Sequence, residues 1–127
     1  MSVIDHVADL GLVPVGFEGD EYIVELPLEQ RHLNIGGIVH GGVYCSLLDT
    51  AMARSYIKAV SDAGLPAVTL EMKVNFVGAA SEGTLRARGR IVAKTRRTVL
   101  VEGRVEDEGG RLLARGSATM MVIEQTG

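Results

Sequence analysis

The longest stretch of this chain free of both glycine and proline begins at Val43, and nearly everything after it alternates in the manner of strands. Over residues 43–60 it predicts one helix of about five turns. Leu47, Leu48, Ala51, Met52, Tyr56 and Ile57 nearly surround that helix, and Arg54 and Lys58 alone form a charged stripe. A helix apolar almost all round is a buried helix, so the rest of the chain must be organised to cover it. The segment Asp62-Ala-Gly-Leu-Pro66 supplies its end.

The cover reads as a sheet. Val68, Leu70, Met72, Val74 and Phe76 alternate with Thr69, Glu71, Lys73 and Asn75. Leu85, Ala87, Gly89 and Ile91 alternate with Arg86, Arg88 and Arg90, and Val99, Val101, Gly103 and Val105 with Glu102, Arg104 and Glu106. Residues 112–123 close the set, and turns at 78–83, 94–97 and 107–110 predict that successive strands are antiparallel neighbours. Upstream, residues 21–28 read as a strand with Tyr22, Val24, Leu26 and Leu28 on one side, paired with 12–17 across Glu18-Gly19-Asp20. Val3, Val7 and Leu10 predict a short helix over 3–12, ended by Gly11. One polar and one apolar face per strand means a sheet covered on one side. The expectation is a single domain over 1–127, α+β, with a curved antiparallel sheet wrapped around one long central helix.

Composition removes several function classes. Hydrophobic residues make up 46% and charged residues 23%, which suits a packed domain and not a disordered chain. No apolar run is long enough to span a bilayer, and the N-terminus has acids at Asp5 and Asp9 in place of a basic head, so neither a membrane protein nor a signal peptide is expected. One cysteine, Cys45, allows no internal disulfide and fits a reducing, cytoplasmic setting. Three histidines and one cysteine without ligand spacing predict no metal site, and no cofactor is expected. An acidic net charge of −3 and five aromatics argue against nucleic acid as a partner. That charge is split: residues 1–63 carry nine acids and three bases, residues 64–127 seven acids and ten bases.

Asp49 stands out within the helix. Its neighbours one turn away are Cys45, Ser46, Met52 and Ala53, none of them cationic. A carboxylate buried without a partner costs several kcal/mol, so Asp49 is either satisfied by a backbone group or water or is a functional group, and it is the best catalytic candidate in the chain. Before the helix lies Asn34-Ile-Gly-Gly-Ile-Val-His-Gly-Gly42, four glycines in nine residues. A helix start presents unpaired N–H groups to an anion or a developing oxyanion, and Gly41 and Gly42 put no side chain in the way. Asp49 lies eight residues beyond Gly41, about 12 Å along the helix. A carbonyl held by the Gly41 amide is out of reach of that carboxylate in the same chain. If both act together, a second copy supplies one of them, and the site lies between two antiparallel helices in a homodimer.

Asn34, His40-Gly41-Gly42, Leu47-Leu48-Asp49 and the strand Val68-Thr-Leu-Glu-Met-Lys-Val-Asn-Phe76 resemble the hotdog-fold acyl-CoA thioesterases, in particular the phenylacetate-degradation (PaaI-like) branch and its mitochondrial relatives, related to 4-hydroxybenzoyl-CoA thioesterases. The resemblance covers about residues 12–123. It implies hydrolysis of an aromatic or medium-chain acyl-CoA to the free acid and CoA. The Gly41 N–H would polarise the thioester carbonyl. Asn34 would help hold that carbonyl or the water. Asp49 of the facing subunit would act as general base, or as a nucleophile giving an anhydride, and Thr69 would supply a hydroxyl that orients the water. Similar proteins are often dimers of dimers. Another branch carries glutamate in place of Asp49 and a hydroxyl where this chain has Ala53.

His40 is expected to fix the loop or the helix start, or to touch the thioester itself. His6 and His32 read as surface residues. Lys94-Thr-Arg-Arg-Thr98 concentrates Lys94, Arg96 and Arg97 with two hydroxyls, among them Thr98, and is a candidate clamp for the phosphates of CoA; a solvated turn is the plain alternative. Arg86, Arg88 and Arg90 are expected to pair across strands with Glu102, Glu106 or Glu108. Two other functions remain open: a non-catalytic acyl-CoA-binding module, and a thioesterase acting on carrier-protein thioesters.

Overall fold

A computed structural model describes residues 5–60 and 66–123. A five-residue helix α1 (His6–Leu10) leads into β1 (Val13–Glu18) and β2 (Glu21–Pro27), then the long helix α2 (Gly41–Val60). Four strands follow: β3 (Ala67–Phe76), β4 (Thr84–Lys94), β5 (Thr98–Glu106) and β6 (Leu112–Val122). All pairings are antiparallel, in the order β1-β2-β4-β5-β6-β3. This is the α+β architecture expected, with one difference in topology. Strand β3 pairs with β6 and forms one edge, not with β4, because residues 77–83 carry the chain across the sheet to meet β2, where the Leu28 N–H donates to the Gly83 carbonyl. Gly11 ends α1 at φ 88, as expected, while Val3 and the segment 61–65 lie outside the described residues.

Helix α2 lies on the sheet without side chains between them at one place. Gly89, Gly103 and Gly116 are register partners on β4, β5 and β6 and form a bare row across three strands. A Cβ on Gly89 would lie 2.4 Å from the Ala51 carbonyl carbon, so the helix backbone rests on the strand backbone. Around this contact Leu47, Leu48, Met52 and Tyr56 pack with Val24, Leu26, Leu85, Val101 and Leu113, each no more than 2% exposed. The other half of α2 is open in the single chain. Ser46, Asp49, Thr50, Ala53, Arg54 and Ile57 are half-buried and Lys58 is exposed, so the helix is not wrapped on all sides as its composition predicts.

The outer sheet face explains the charge split. Arg86 reaches Glu25 at 2.8 Å, and Arg104 reaches Glu21 at 2.6 Å, joining acids of the first half to bases of the second. Arg88 meets Glu106 at 3.1 Å and Arg90 meets Glu102 at 2.6 Å, the cross-strand pairs expected. Arg86 differs, turning to Glu25 and Glu18 on the opposite side. Much of the basic half is thus neutralised internally, which weakens its reading as a surface for an external anion.

Candidate functional site

The helix start is held by His40. Its Nδ1 accepts the Gly42 N–H at 2.8 Å, and its carbonyl accepts the Val43 N–H at 2.9 Å. Acceptance at Nδ1 places the neutral ring's proton on Nε2. The helix therefore begins at Gly41, two residues before the expected Val43, with a side-chain cap at its mouth. The Gly41 N–H meets no acceptor among the described residues, which leaves one first-turn donor for a ligand. Phe76 forms a wall there: a Cβ on Gly41 would be 3.2 Å from its ring. The alternation pattern placed Phe76 in the core, yet it is 58% exposed, and nothing in its sequence neighbourhood points to the helix mouth.

Asn34 shapes the approach to this point. Its Oδ1 accepts the Gly36 N–H at 2.8 Å, and its backbone N–H donates to the Ile38 carbonyl at 2.7 Å. The carbonyl side of the amide is thus committed to the loop, and the NH2 side is the part left to a ligand. His32, expected at the surface, is fully buried. Its Nδ1 accepts the Glu29 N–H at 2.9 Å and its Nε2–H donates to the Leu10 carbonyl at 2.7 Å, tying α1 to the loop below Asn34. Those partners satisfy both ring nitrogens, which makes burial of a histidine tolerable. His6 is exposed as expected, with Nε2 2.9 Å from the Ser46 hydroxyl.

Asp49 has its partner on β3. The Thr69 hydroxyl donates to Asp49 Oδ1 at 2.7 Å in a half-buried setting. Strict alternation would set Thr69 on the outer face with Glu71 and Lys73. A register shift between Thr69 and Glu71, with Leu70 as the extra residue, reverses the phase and turns Thr69 towards the helix. Val68 and Leu70 are correspondingly exposed at 44% and 54%, while Met72 and Val74 beyond the bulge face the core. No donor meets Asp49 Oδ2 among the described residues. Beside it runs an open groove of about 460 Å³ lined by Val7, Thr50, Ala53, Arg54, Ile57 and Lys58. Cys45, one turn before Asp49, has its thiol pushed up by burial and by the Asp49 charge, against any role as a thiolate.

The single chain keeps these two clusters apart. Phe76, beside Gly41, and Thr69, beside Asp49, lie at opposite ends of β3. The turn after β4 belongs to the Thr69 end, since the Val122 N–H donates to the Arg97 carbonyl at 2.8 Å and Val122 pairs with Ala67. Within it Lys94 Nζ donates to the Thr95 carbonyl at 3.2 Å, and the Thr95 and Thr98 hydroxyls bond each other at 2.7 Å. Those hydroxyls hold the turn's shape, so the cations are its contribution to an anion.

A family model described as the thioesterase superfamily matches residues 36–114. The "Putative esterase SSO1253" of Saccharolobus solfataricus is 35% identical over 97 residues, 76% of this chain and 63% of its own length. This chain therefore matches somewhat less than two thirds of that relative. Among solved structures, conserved protein PA5202 of Pseudomonas aeruginosa superposes with a TM-score of 0.88 at 30% identity, covering 95% of both chains. A variant of the phenylacetic acid degradation protein PaaI of Thermus thermophilus gives a TM-score of 0.81 at 26% identity, covering 92% of this chain and 97% of that one.

Proposed function

The chain belongs to the thioesterase superfamily, and from that premise we propose that it hydrolyses an acyl-CoA to the free acid and CoA at a site shared by two copies. The observation that carries the reading is the Thr69–Asp49 hydrogen bond, which fixes one oxygen of a carboxylate that lines an open groove. Asp49 Oδ2 takes a proton from water as the water oxygen adds to the thioester carbon. The Gly41 N–H of the second copy, at the positive end of α2, holds the carbonyl oxygen as it becomes an oxyanion, with the Asn34 NH2 beside it. Collapse of the tetrahedral intermediate breaks the C–S bond, and the proton passes on to the departing thiolate. His40 acts by accepting the Gly42 N–H, which caps the helix and so aims the Gly41 amide.

A homodimer is required by this reading, because one chain places Gly41 and Asp49 about 12 Å apart along the helix. The open side of α2 around Cys45 and Ser46 and the unpaired edge of β3 supply a surface for the second copy. Val7, Ala53 and Ile57 give the groove an apolar wall suited to an aromatic or medium-chain acyl group, in line with the PaaI likeness. Lys94, Arg96, Arg97 and Thr98 remain the proposed contact for the nucleotide phosphates. The unpaired Cys45 fits a cytoplasmic setting.

The test is thiol release from a panel of acyl-CoAs by the wild type, Asp49→Asn and Asp49→Ala. Turnover falls about a hundredfold or more in both variants, the scale of losing a general base. Wild-type turnover in Asp49→Asn rejects the assignment. Acyl-CoA binding with no thiol release identifies a binding module instead, and release from carrier-protein thioesters alone changes the donor.

A further inference from the structure

We infer that Arg54 selects acyl groups bearing a negative charge at their far end, so that dicarboxylic acyl-CoAs are preferred over neutral ones of equal length. The inference rests on the thioesterase reading above and names the substrate class of that site. Arg54 lines the same groove as Asp49, although a helical wheel sets the two far apart. Ala53 lies between them on α2, and Val7, Thr50, Ile57 and Lys58 also line the groove. Apolar side chains sharing one groove with a carboxylate and a guanidinium suit a chain of methylenes joining a thioester to an acid.

Arg54 differs from most arginines of this chain. Arg31, Arg86, Arg88, Arg90, Arg104 and Arg111 each hold a carboxylate. Arg54 is half-buried and has no hydrogen-bond or ion-pair partner among the described residues. A guanidinium keeps its charge at any working pH, and one partly withdrawn from water without an anion is a binding element awaiting its ligand. The spacing bounds the ligand's length. Arg54 lies five residues beyond Asp49, a rise of about 7.5 Å and a turn of about 140° round the axis, so the terminal acid lies at least about four carbons from the thioester.

The phosphates of CoA are the competing anion. A pantetheine arm laid along this groove would set its two amides beside Val7, Ala53 and Ile57, with the Thr50 hydroxyl the one neutral polar group lining it, at a cost in desolvation. Methylenes carry no such penalty, so the acyl side of the thioester is the better occupant.

The experiment compares adipoyl-CoA with hexanoyl-CoA, which share a chain length and differ in terminal charge. In the wild type kcat/KM for adipoyl-CoA exceeds that for hexanoyl-CoA. In Arg54→Met that ratio falls at least about tenfold, the factor carried by a charge-assisted hydrogen bond, and Arg54→Lys retains part of it. A wild-type ratio at or below one overturns the inference while hexanoyl-CoA turnover leaves the thioesterase reading standing. An equal rise in KM for both substrates in Arg54→Met also overturns it, assigning Arg54 to CoA. Absence of turnover with both substrates and with every other acyl-CoA removes the thioesterase reading itself.

Discussion

Replacing Thr69 with valine keeps the shape of the side chain and deletes the hydroxyl that lies 2.7 Å from Asp49 Oδ1. A hydrogen bond to a charged acceptor contributes about 1.5–3 kcal/mol, and the half-buried setting argues for the lower end. At about 1.4 kcal/mol per factor of ten, kcat should fall roughly tenfold. KM should move little, because Thr69 acts on the carboxylate and not on the substrate. Steady-state thiol release at saturating acyl-CoA measures this directly. Thr69→Ser, which restores the donor, should recover most of the rate. The double variant Thr69→Val with Asp49→Asn should be no slower than Asp49→Asn alone, since a positioning group has nothing left to position. Wild-type kcat in Thr69→Val, or losses that simply multiply in the double variant, would refute the reasoning.

Two further outcomes test the scaffold and the assembly. Gly89→Ala forces a Cβ to within 2.4 Å of the Ala51 carbonyl carbon and 2.5 Å of the Met52 nitrogen, main-chain atoms with no freedom to yield. The helix must lift, at a cost of about 3 kcal/mol and a fall in Tm of about 10 °C or more; an unchanged melting curve contradicts the close approach. Antiparallel α2 helices with Gly41 opposite the partner's Asp49 place the two-fold axis near residue 45, so the single cysteine should meet its copy there. Because burial and Asp49 push the Cys45 thiol up, mild oxidation at about pH 9 should give a covalent dimer on non-reducing gels, faster as pH rises; a chain that stays monomeric on such gels speaks against this register.

Periodicity made most of the elements legible. The long helix, the strand phases of β4 and β5 and the pairing of β1 with β2 follow from residue spacing alone. The helix start was harder, because two consecutive glycines are poor helix formers and only the His40 ring and the neighbouring Phe76 reveal why they are tolerated. Turn residues predict adjacent neighbours, so the passage of β3 to the far edge left no local trace. Leu70 is the clearest case of a hidden signal: the run 68–76 alternates without a break, yet an extra residue at Leu70 reverses its facing and delivers Thr69 to Asp49. His32 reads as a surface residue because its two partners, the Glu29 N–H and the Leu10 carbonyl, are main-chain groups that composition does not reveal.

The glycine row under α2 divides the helix into two halves with different freedoms. On the sheet side, main chain rests on main chain at Gly89, so the height of the helix at Ala51, two residues from Asp49, is set by backbone contact. On the open side, Thr50, Ala53, Arg54 and Ile57 touch the groove and can be exchanged without disturbing that support. Chemistry and selectivity are thereby decoupled within one helix. Sequence drift on the groove side can retune which acyl groups are accepted while the carboxylate stays where the backbone holds it.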